Sequence, residues 1–318
     1  MKVQARHVSP GSTSWMDAVV TLRDVVRAFG IEASRVRRIG HAWVNDVWMV
    51  EAGPMRYALK RVTPERTDAE VEHEHRLLDG LFELGWLVPK PIATLSGQRL
   101  IHRGGSRWWL APWLPGRISP QHARGSAYRR GQVLAELHTA TKRILPLLPA
   151  TRRLRLREVS DWPFEPSGQT LLQGLDNGRA IDAHLEKWLR DVVAEVNSRL
   201  HAHAPTDETV IHFDFHYRNV LISQRSVAVL DFDFAHVDEP VADLATALAF
   251  LPNREAAAAF ISGYCDRTPL SLSDHAVIPT LYDARKLLHA GWLLTWPEGQ
   301  DVEQGLRDVL SELGSCPL

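Results

Sequence analysis

Ile211–Ile222 reads IHFDFHYRNVLI, and Val227–Ala235 follows with VAVLDFDFA. Apolar residues at strand spacing predict two short strands, over Val210–Ser223 and Ser226–Phe234, flanking a loop. Polar residues of one chemical kind punctuate them. Asn219 stands five positions after Asp214, Asp231 ends an apolar strand that would hold its carboxylate rigidly, and Asp233 follows it closely. Carboxylate and amide oxygens are the ligands that a hard cation such as Mg2+ prefers, and a carboxylate beside a hydroxyl can orient it and accept its proton. A second chemistry fits the same letters. His212, Asp214 and His216 alternate, so on a strand they share a face, and H-x-D-x-H could ligate zinc or iron in a metallohydrolase. No further His or Cys stands nearby in a recognised metal pattern.

Around this segment the composition is ordinary. A chain of 318 residues can bury a large core and suggests two domains or lobes. Hydrophobic residues at 45% and charged residues at 24% are those of a soluble globular protein. A net charge of −1 gives no global field for nucleic acid or an anionic membrane, so any affinity for phosphates must be local. Two cysteines, Cys265 and Cys316, make no disulfide framework and suit a reducing cytoplasm. The N-terminal stretch lacks the apolar region of a signal peptide, and apolar runs such as Ala245–Leu251 are far too short to span a bilayer. No nucleic-acid or membrane partner is expected, and the chain should be a monomer or homodimer. Eleven Trp is a high count. Most belong in the core or between lobes, although Trp can also line a pocket for a cationic ligand.

The periodicity changes along the chain. Met16–Phe29 has helical spacing and stops before Gly30. Val36–Ala42, Val44–Glu51 and Arg56–Val62 read as strands, with a turn at Ala52-Gly53-Pro54. Thr67 or Asp68 caps a charged helix through about Leu84, with Val71, Leu77, Leu78, Leu81 and Phe82 on its buried side. Val88–Thr94, Arg99–Ile101 and Trp108–Leu114 return to strand character, which completes a small α+β unit. After Pro115-Gly116 helices dominate: Tyr128–Thr141, Ile181–Leu200, Val241–Leu251, Glu255–Tyr264, Ser273–Trp296 and Val302–Leu313. The apolar stripe of the second includes Leu185, Trp188, Leu189, Val193, Val196 and Leu200. Pro149–Asn177, rich in Arg, Pro and Gly, has no assignment. The run Thr151–Arg157 (TRRLRLR) reads as a solvated surface or a basic patch for an acidic substrate.

Phosphoryl transfer requires few protein groups: a base for the hydroxyl, oxygen ligands for magnesium and a cation for the phosphates. Protein kinases carry the base and a metal-binding Asn in H-R-D-x-x-x-x-N and a second metal carboxylate in D-F-G. Asp214, Asn219 and Asp231 follow that order and spacing. HFDFHYRNVLI…VLDFDFAHVDEPVADLATAL resembles the aminoglycoside phosphotransferase and choline kinase superfamily, which includes type II homoserine kinases and spore-coat kinase-like proteins. That family's motif is written H-G-D-x-H-x-x-N, and Phe213 stands here at its Gly.

The resemblance implies a bilobal α+β kinase-like fold. Residues 1–114 would form an N-terminal nucleotide-binding lobe of antiparallel sheet plus helix, and residues 115–318 a larger, mainly helical catalytic and substrate-binding lobe. It implies ATP and Mg2+, with Asp214 as base and Asn219 and Asp231 as metal ligands. Asp233 would contact the metal or cap the local turn. His216 occupies the position where protein kinases place a lysine, and would touch a phosphate or order the loop. RYALKRV resembles the strand of the phosphate-binding lysine, Lys60. EHRLLDGLFELGWLVPKPI resembles the helix whose Glu pairs with that lysine, Glu74 here with Glu70 as fallback. GHAWVNDVWMV resembles the nucleotide-covering hairpin, with Asn45 among its contacts. WWLAPWLPG resembles the hinge, where backbone groups near Leu110–Trp113 would meet adenine. Asp243 resembles the family Asp that braces the catalytic loop. The acceptor would be a small hydroxyl compound, with aminoglycoside, choline, homoserine, sugar and amino alcohol all open. A non-catalytic kinase-like protein of the spore-coat type would instead show a lost base, metal ligand or lysine, and none is missing.

Overall fold

The computed structural model describes residues 15–39, 46–149, 154–163, 169–176, 181–205, 207–223, 226–295 and 302–317. Contacts divide the chain into two compact units, residues 1–66 with 89–113, and residues 67–88 with 114–318.

The first unit packs one helix on one sheet. α1 (Trp15–Ala28) precedes β1 (Arg35–Arg38), β2 (Asp46–Ala52), β3 (Met55–Val62), β4 (Ile101–Arg103) and β5 (Ser106–Pro112). The strands pair antiparallel in the order β1-β2-β3-β5-β4. Gly53, at φ +56°, makes the tight turn between β2 and β3, where a side chain would be strained. Leu22, Val25, Val26 and Phe29 recur at helical spacing on α1 and bury against Val50, Leu59, Ile101, Trp108 and Leu110. Val88–Thr94, expected as a strand, is irregular. Pro89 and Pro91 cannot donate to a ladder, and the segment keeps only isolated backbone bonds such as Ile92 N–H to the Leu110 carbonyl at 2.8 Å.

The second unit is mainly helical. α2 (Asp68–Glu83) starts at a capping box in which Thr67 and Glu70 bond each other's backbone N–H. It buries Val71, Leu77, Leu78 and Leu81, whereas Phe82, one residue around the helix, is exposed. Then come β6 (Arg117–Ile118), α3 (Arg124–Ile144), α4 (Leu171–Asp176), α5 (Ala183–His201), β7 (Thr209–Ile211), β8 (Val220–Ile222), β9 (Val227–Val229) and β10 (His236–Asp238). α6 (Pro240–Leu248), α7 (Arg254–Cys265), α8 (Leu272–Leu294) and α9 (Val302–Ser311) follow. α5 buries Leu185, Leu189, Val193, Val196 and Leu200, but Trp188 of the expected stripe is exposed. Of the TRRLRLR run, Arg155 pairs with Glu208 at the partly exposed surface and Arg157 with buried Glu239, so these two arginines are engaged in ion pairs rather than forming a free basic patch. No described helix is long and apolar enough to cross a membrane.

The two strands expected around residues 210–234 break into smaller pieces. β7 pairs with β10, and β8 lies between β6 and β9. Tyr217–Asn219 forms a single 3-10 turn. β9 ends at Val229, so Asp231 stands beyond the strand rather than at its end, in a backbone of φ +61°.

Candidate active site

The loop between β7 and β8 is held by side chains gripping its backbone. Asp243, fully buried on α6, accepts the N–H groups of His212 at 2.7 Å and Phe213 at 2.9 Å. Its Oδ2 also meets Nε2 of His138 on α3 at 3.0 Å, and Nδ1 of His138 meets the Tyr264 hydroxyl on α7 at 2.9 Å. Burial opposes charge on Asp243, but the His138 bond, the nearby histidines and the His212 N–H outweigh it and hold its pKa below the ordinary value. An ionised brace therefore ties three helices to two consecutive peptide groups. The expected role of Asp243 is visible in these bonds.

That grip sets the turn. Phe213 takes φ +65°, the left-handed region that suits the family's Gly. Its ring stacks on Trp162, with centroids 5.4 Å apart and planes 6° from parallel, and meets His236 edge-on at 4.8 Å. Nδ1 of His212 accepts the Asp214 N–H at 3.3 Å, and its Nε2 donates to the Leu230 carbonyl at 2.8 Å. Both ring nitrogens are thus engaged, and His212 has no lone pair left for the H-x-D-x-H metal trio. Among the described residues, no three His, Cys, Asp or Glu side chains gather as a metal-holding group.

Asp214 and Asn219 meet as their spacing suggests. The Asn219 amide donates to both the backbone oxygen and Oδ2 of Asp214, each at 2.9 Å. These two bonds spend the NH2 end of Asn219 and leave its carbonyl Oδ1 as an oxygen donor suited to a hard cation. Burial raises the Asp214 pKa above the usual carboxylate value, against the pull of His212, Arg285 and the Asn219 bond. His216 is pushed down to about 4, by burial first and by His212 next, so its ring is neutral at pH 7. Its Nδ1 accepts the Arg218 N–H at 3.2 Å, which leaves Nε2–H toward Asp214 Oδ2, 3.5 Å away. Asp231 is exposed and Asp233 is buried. Those two carboxylates, the Asp214 carboxylate and the Asn219 carbonyl are hard oxygens of this segment.

The remaining predicted residues lie elsewhere. In the first unit, Lys60 on β3 is 8% exposed and opposite Trp109 of β5, its Nζ 5.4 Å from that ring's centroid. Leu110 is buried and its carbonyl accepts the Ile92 N–H, while the Trp113 N–H donates to Arg56. The Trp113 side chain is exposed. In the second unit Glu74 is buried on α2, and Glu70 is spent on its capping box. Asn45 lies outside the described residues.

A profile of the phosphotransferase enzyme family matches residues 35–275. The chain belongs to that family. Relatives of the phosphotransferase include a homoserine kinase from a Caulobacter species, 28% identical over 265 residues, 79% of this chain and 77% of that one. An acyl-CoA dehydrogenase family member 11 from Gallus gallus is 25% identical over 236 residues. That match takes in 69% of this chain but only 28% of the longer protein. Among solved structures, the amicoumacin kinase hAmiN in complex with AMP-PNP, Ca2+ and Ami superposes with a TM-score of 0.74 at 18% identity, covering 94% of this chain and 93% of that one. The phosphotransferase therefore has the kinase-like α+β fold, an antiparallel sheet followed by a helical part. Its second unit also contains groups without a sequence motif. Arg285 on α8 has its guanidinium over Phe250, 5.4 Å from the ring centroid, and Phe250 meets His216 edge-on at 5.0 Å. Its sequence surroundings, LYDARKLLHA, mix charged and apolar residues and carry no signal for it.

Proposed function

We propose that this phosphotransferase moves the γ-phosphate of ATP onto a hydroxyl group of a small molecule with Mg2+. The observation that carries the reading is Asp214, whose carboxylate Oδ2 and backbone oxygen are both held by Asn219 in a loop braced by Asp243. Desolvation makes Asp214 a stronger base, and the brace spares it the entropy of finding its place. It accepts the acceptor's proton as the new O–P bond forms and the bond from the γ-phosphorus to the bridging oxygen breaks. Neutral His216 donates toward the same carboxylate and orients it. Asn219, Asp231 and Asp233 would hold the metal ion, which supplies charge neutralisation at the phosphates. Lys60 is assigned to the phosphates of ATP, with Glu74 in the supporting role the resemblance gives it, and the backbone near Leu110–Trp113 to its base. The nucleotide and divalent ion bound by amicoumacin kinase support that choice of cosubstrate for this fold. Two cysteines in a chain of 318 residues make no disulfide framework, which supports a cytoplasmic setting.

The test uses two variants and an ATP-consumption screen over hydroxyl-bearing metabolites. Asp214→Asn should keep Mg·ATP affinity and melting temperature while kcat falls by about 10²-fold or more. Asp231→Ala should weaken Mg·ATP binding by calorimetry. Near-normal turnover in the first, or unchanged affinity in the second, would remove the corresponding role.

A further inference from the structure

Arg285 is the charged group of the second unit that the proposed chemistry leaves without a task. Its Nε is buried with no hydrogen-bond partner, and no described residue gives its guanidinium a hydrogen bond or ion pair. Neighbouring cations are matched. Lys286, the next residue, pairs with Glu312, Arg199 bonds Asp283 at 2.7 Å, and Arg130 bonds Ser119 at 3.0 Å. Arg285 is only partly exposed, and withdrawing part of a guanidinium from water without a partner is costly, so burial lowers its pKa. Such a group calls for an anion that arrives from outside.

Its position says which anion. The guanidinium lies over Phe250, Phe250 meets His216, and His216 Nε2 is 3.5 Å from Asp214 Oδ2. Asp214 is near enough for its charge to act on Arg285, yet the two form no ion pair. Both therefore remain open to one ligand, Asp214 for a hydroxyl and Arg285 for a group of opposite charge. Phe250 also lines a cavity of about 590 Å³ with Gln121, Asn253, Arg254, Tyr282 and Glu312, a size that suits a small metabolite, and Arg285 and Asp214 lie outside that lining. Gln121 fixes that wall, since its Nε2 donates to the Phe250 carbonyl at 3.0 Å. Glu312 is already paired with Lys286, so it is not the counter-charge of an incoming amine.

We propose that Arg285, over Phe250, anchors the acceptor, and that the acceptor is a hydroxy acid whose carboxylate Arg285 binds while Asp214 takes its hydroxyl. This rests on the phosphotransfer reading above. A planar guanidinium fork matches one carboxylate in geometry and charge, and it repels an acceptor whose only charge is an ammonium.

The experiment compares acceptors that differ only at the carboxylate: serine against ethanolamine, threonine against 1-aminopropan-2-ol, and glycerate against glycerol. ATP consumption by the full chain should favour the acid of a productive pair by at least about tenfold in kcat/KM. In Arg285→Gln that ratio should collapse toward one, chiefly through KM for the acid, and Arg285→Lys should restore part of it. If Arg285→Gln fails to melt cooperatively, the lysine variant alone decides, because loss of the fork should still raise KM for the acid. Preference for the decarboxylated partner, or an equal loss on both members of a pair, overturns the proposal. If no acceptor consumes ATP and Mg·ATP does not bind, the kinase reading fails separately. Calorimetry of the acids against wild type and Arg285→Gln then judges the subsite, and equal affinities reject it.

Discussion

Phe213 and Asp231 are the two non-glycine residues at positive φ among those described, at +65° in the β7–β8 loop and +61° just after β9. A backbone of that kind costs about 1–3 kcal/mol per residue and persists only where its surroundings force it. At Phe213 the forcing groups are visible: Asp243 takes the peptide N–H, and Trp162 and His236 hold the ring. The side chain is 5% exposed, so its burial offsets the strain that the family's Gly would avoid. Two truncations separate the effects. Phe213→Ala loses the ring and keeps the strained backbone, and should cost about 3–5 kcal/mol. Phe213→Gly loses the same ring but relaxes the backbone, and should be about 1 kcal/mol more stable than the alanine variant. This reverses the usual order of the two residues. Denaturant unfolding of both proteins reads the difference, and an alanine variant as stable as the glycine one would contradict a left-handed Phe213.

Helices bring the brace together, and two of them do so by touching backbone to backbone. α3 carries His138 and α7 carries Tyr264, and these residues can reach each other and Asp243 only if the helices cross closely. Gly131 and Gly263 allow it. A Cβ on Gly131 would lie 1.9 Å from the Phe260 carbonyl oxygen, and one on Gly263 would lie 1.9 Å from that of Tyr128. Backbone cannot yield as a side-chain tip can. Gly131→Ala should therefore destabilise by at least about 3 kcal/mol, at the upper end for overpacking, although alanine is the better helix former. Gly125 sits on the same helix with open space around it. Gly125→Ala should be neutral or stabilise by up to about 1 kcal/mol. Melting temperatures of the pair check the claim, and equal effects at both positions would show that the crossing is not tight. Because the crossing positions His138, the Gly131 variant should also lose turnover in proportion to the brace it loosens.

The whole molecule shows what a linear reading can carry. Asp214, Asn219 and His216 were legible because one short loop sets their relation, and a local loop leaves a fixed spacing in the chain. α1 and α2 were legible for the same reason, through apolar period and capping box. Arg285 was not, because its neighbours Phe250 and Asp214 reach it only through the packing of α8, and no spacing records that. Nor was the company of α2, which a reading in chain order groups with the strands on either side. Contacts place it with the helices instead. Gly80 would press a Cβ to 2.9 Å from Ile144 of α3, His73 bonds the Pro149 carbonyl at 3.0 Å, and Val229 of β9 donates to Leu87 just beyond α2. The lobe division proposed at 114/115 can be tested on this point. A fragment of residues 115–318 would expose the apolar face that Leu77, Leu78 and Leu81 cover, and would leave β9 short of the Leu87 carbonyl. It should aggregate or melt without cooperativity. A chain joining residues 67–88 through a flexible Gly/Ser linker to residues 114–318 restores those contacts, and should melt cooperatively and stay monomeric in size-exclusion chromatography. The linker adds no new contact, so the difference between the two proteins reports residues 67–88, α2 and the Leu87 bridge together. If the fragment lacking α2 melts as sharply and as high as the joined chain, the helix belongs energetically to the N-terminal lobe.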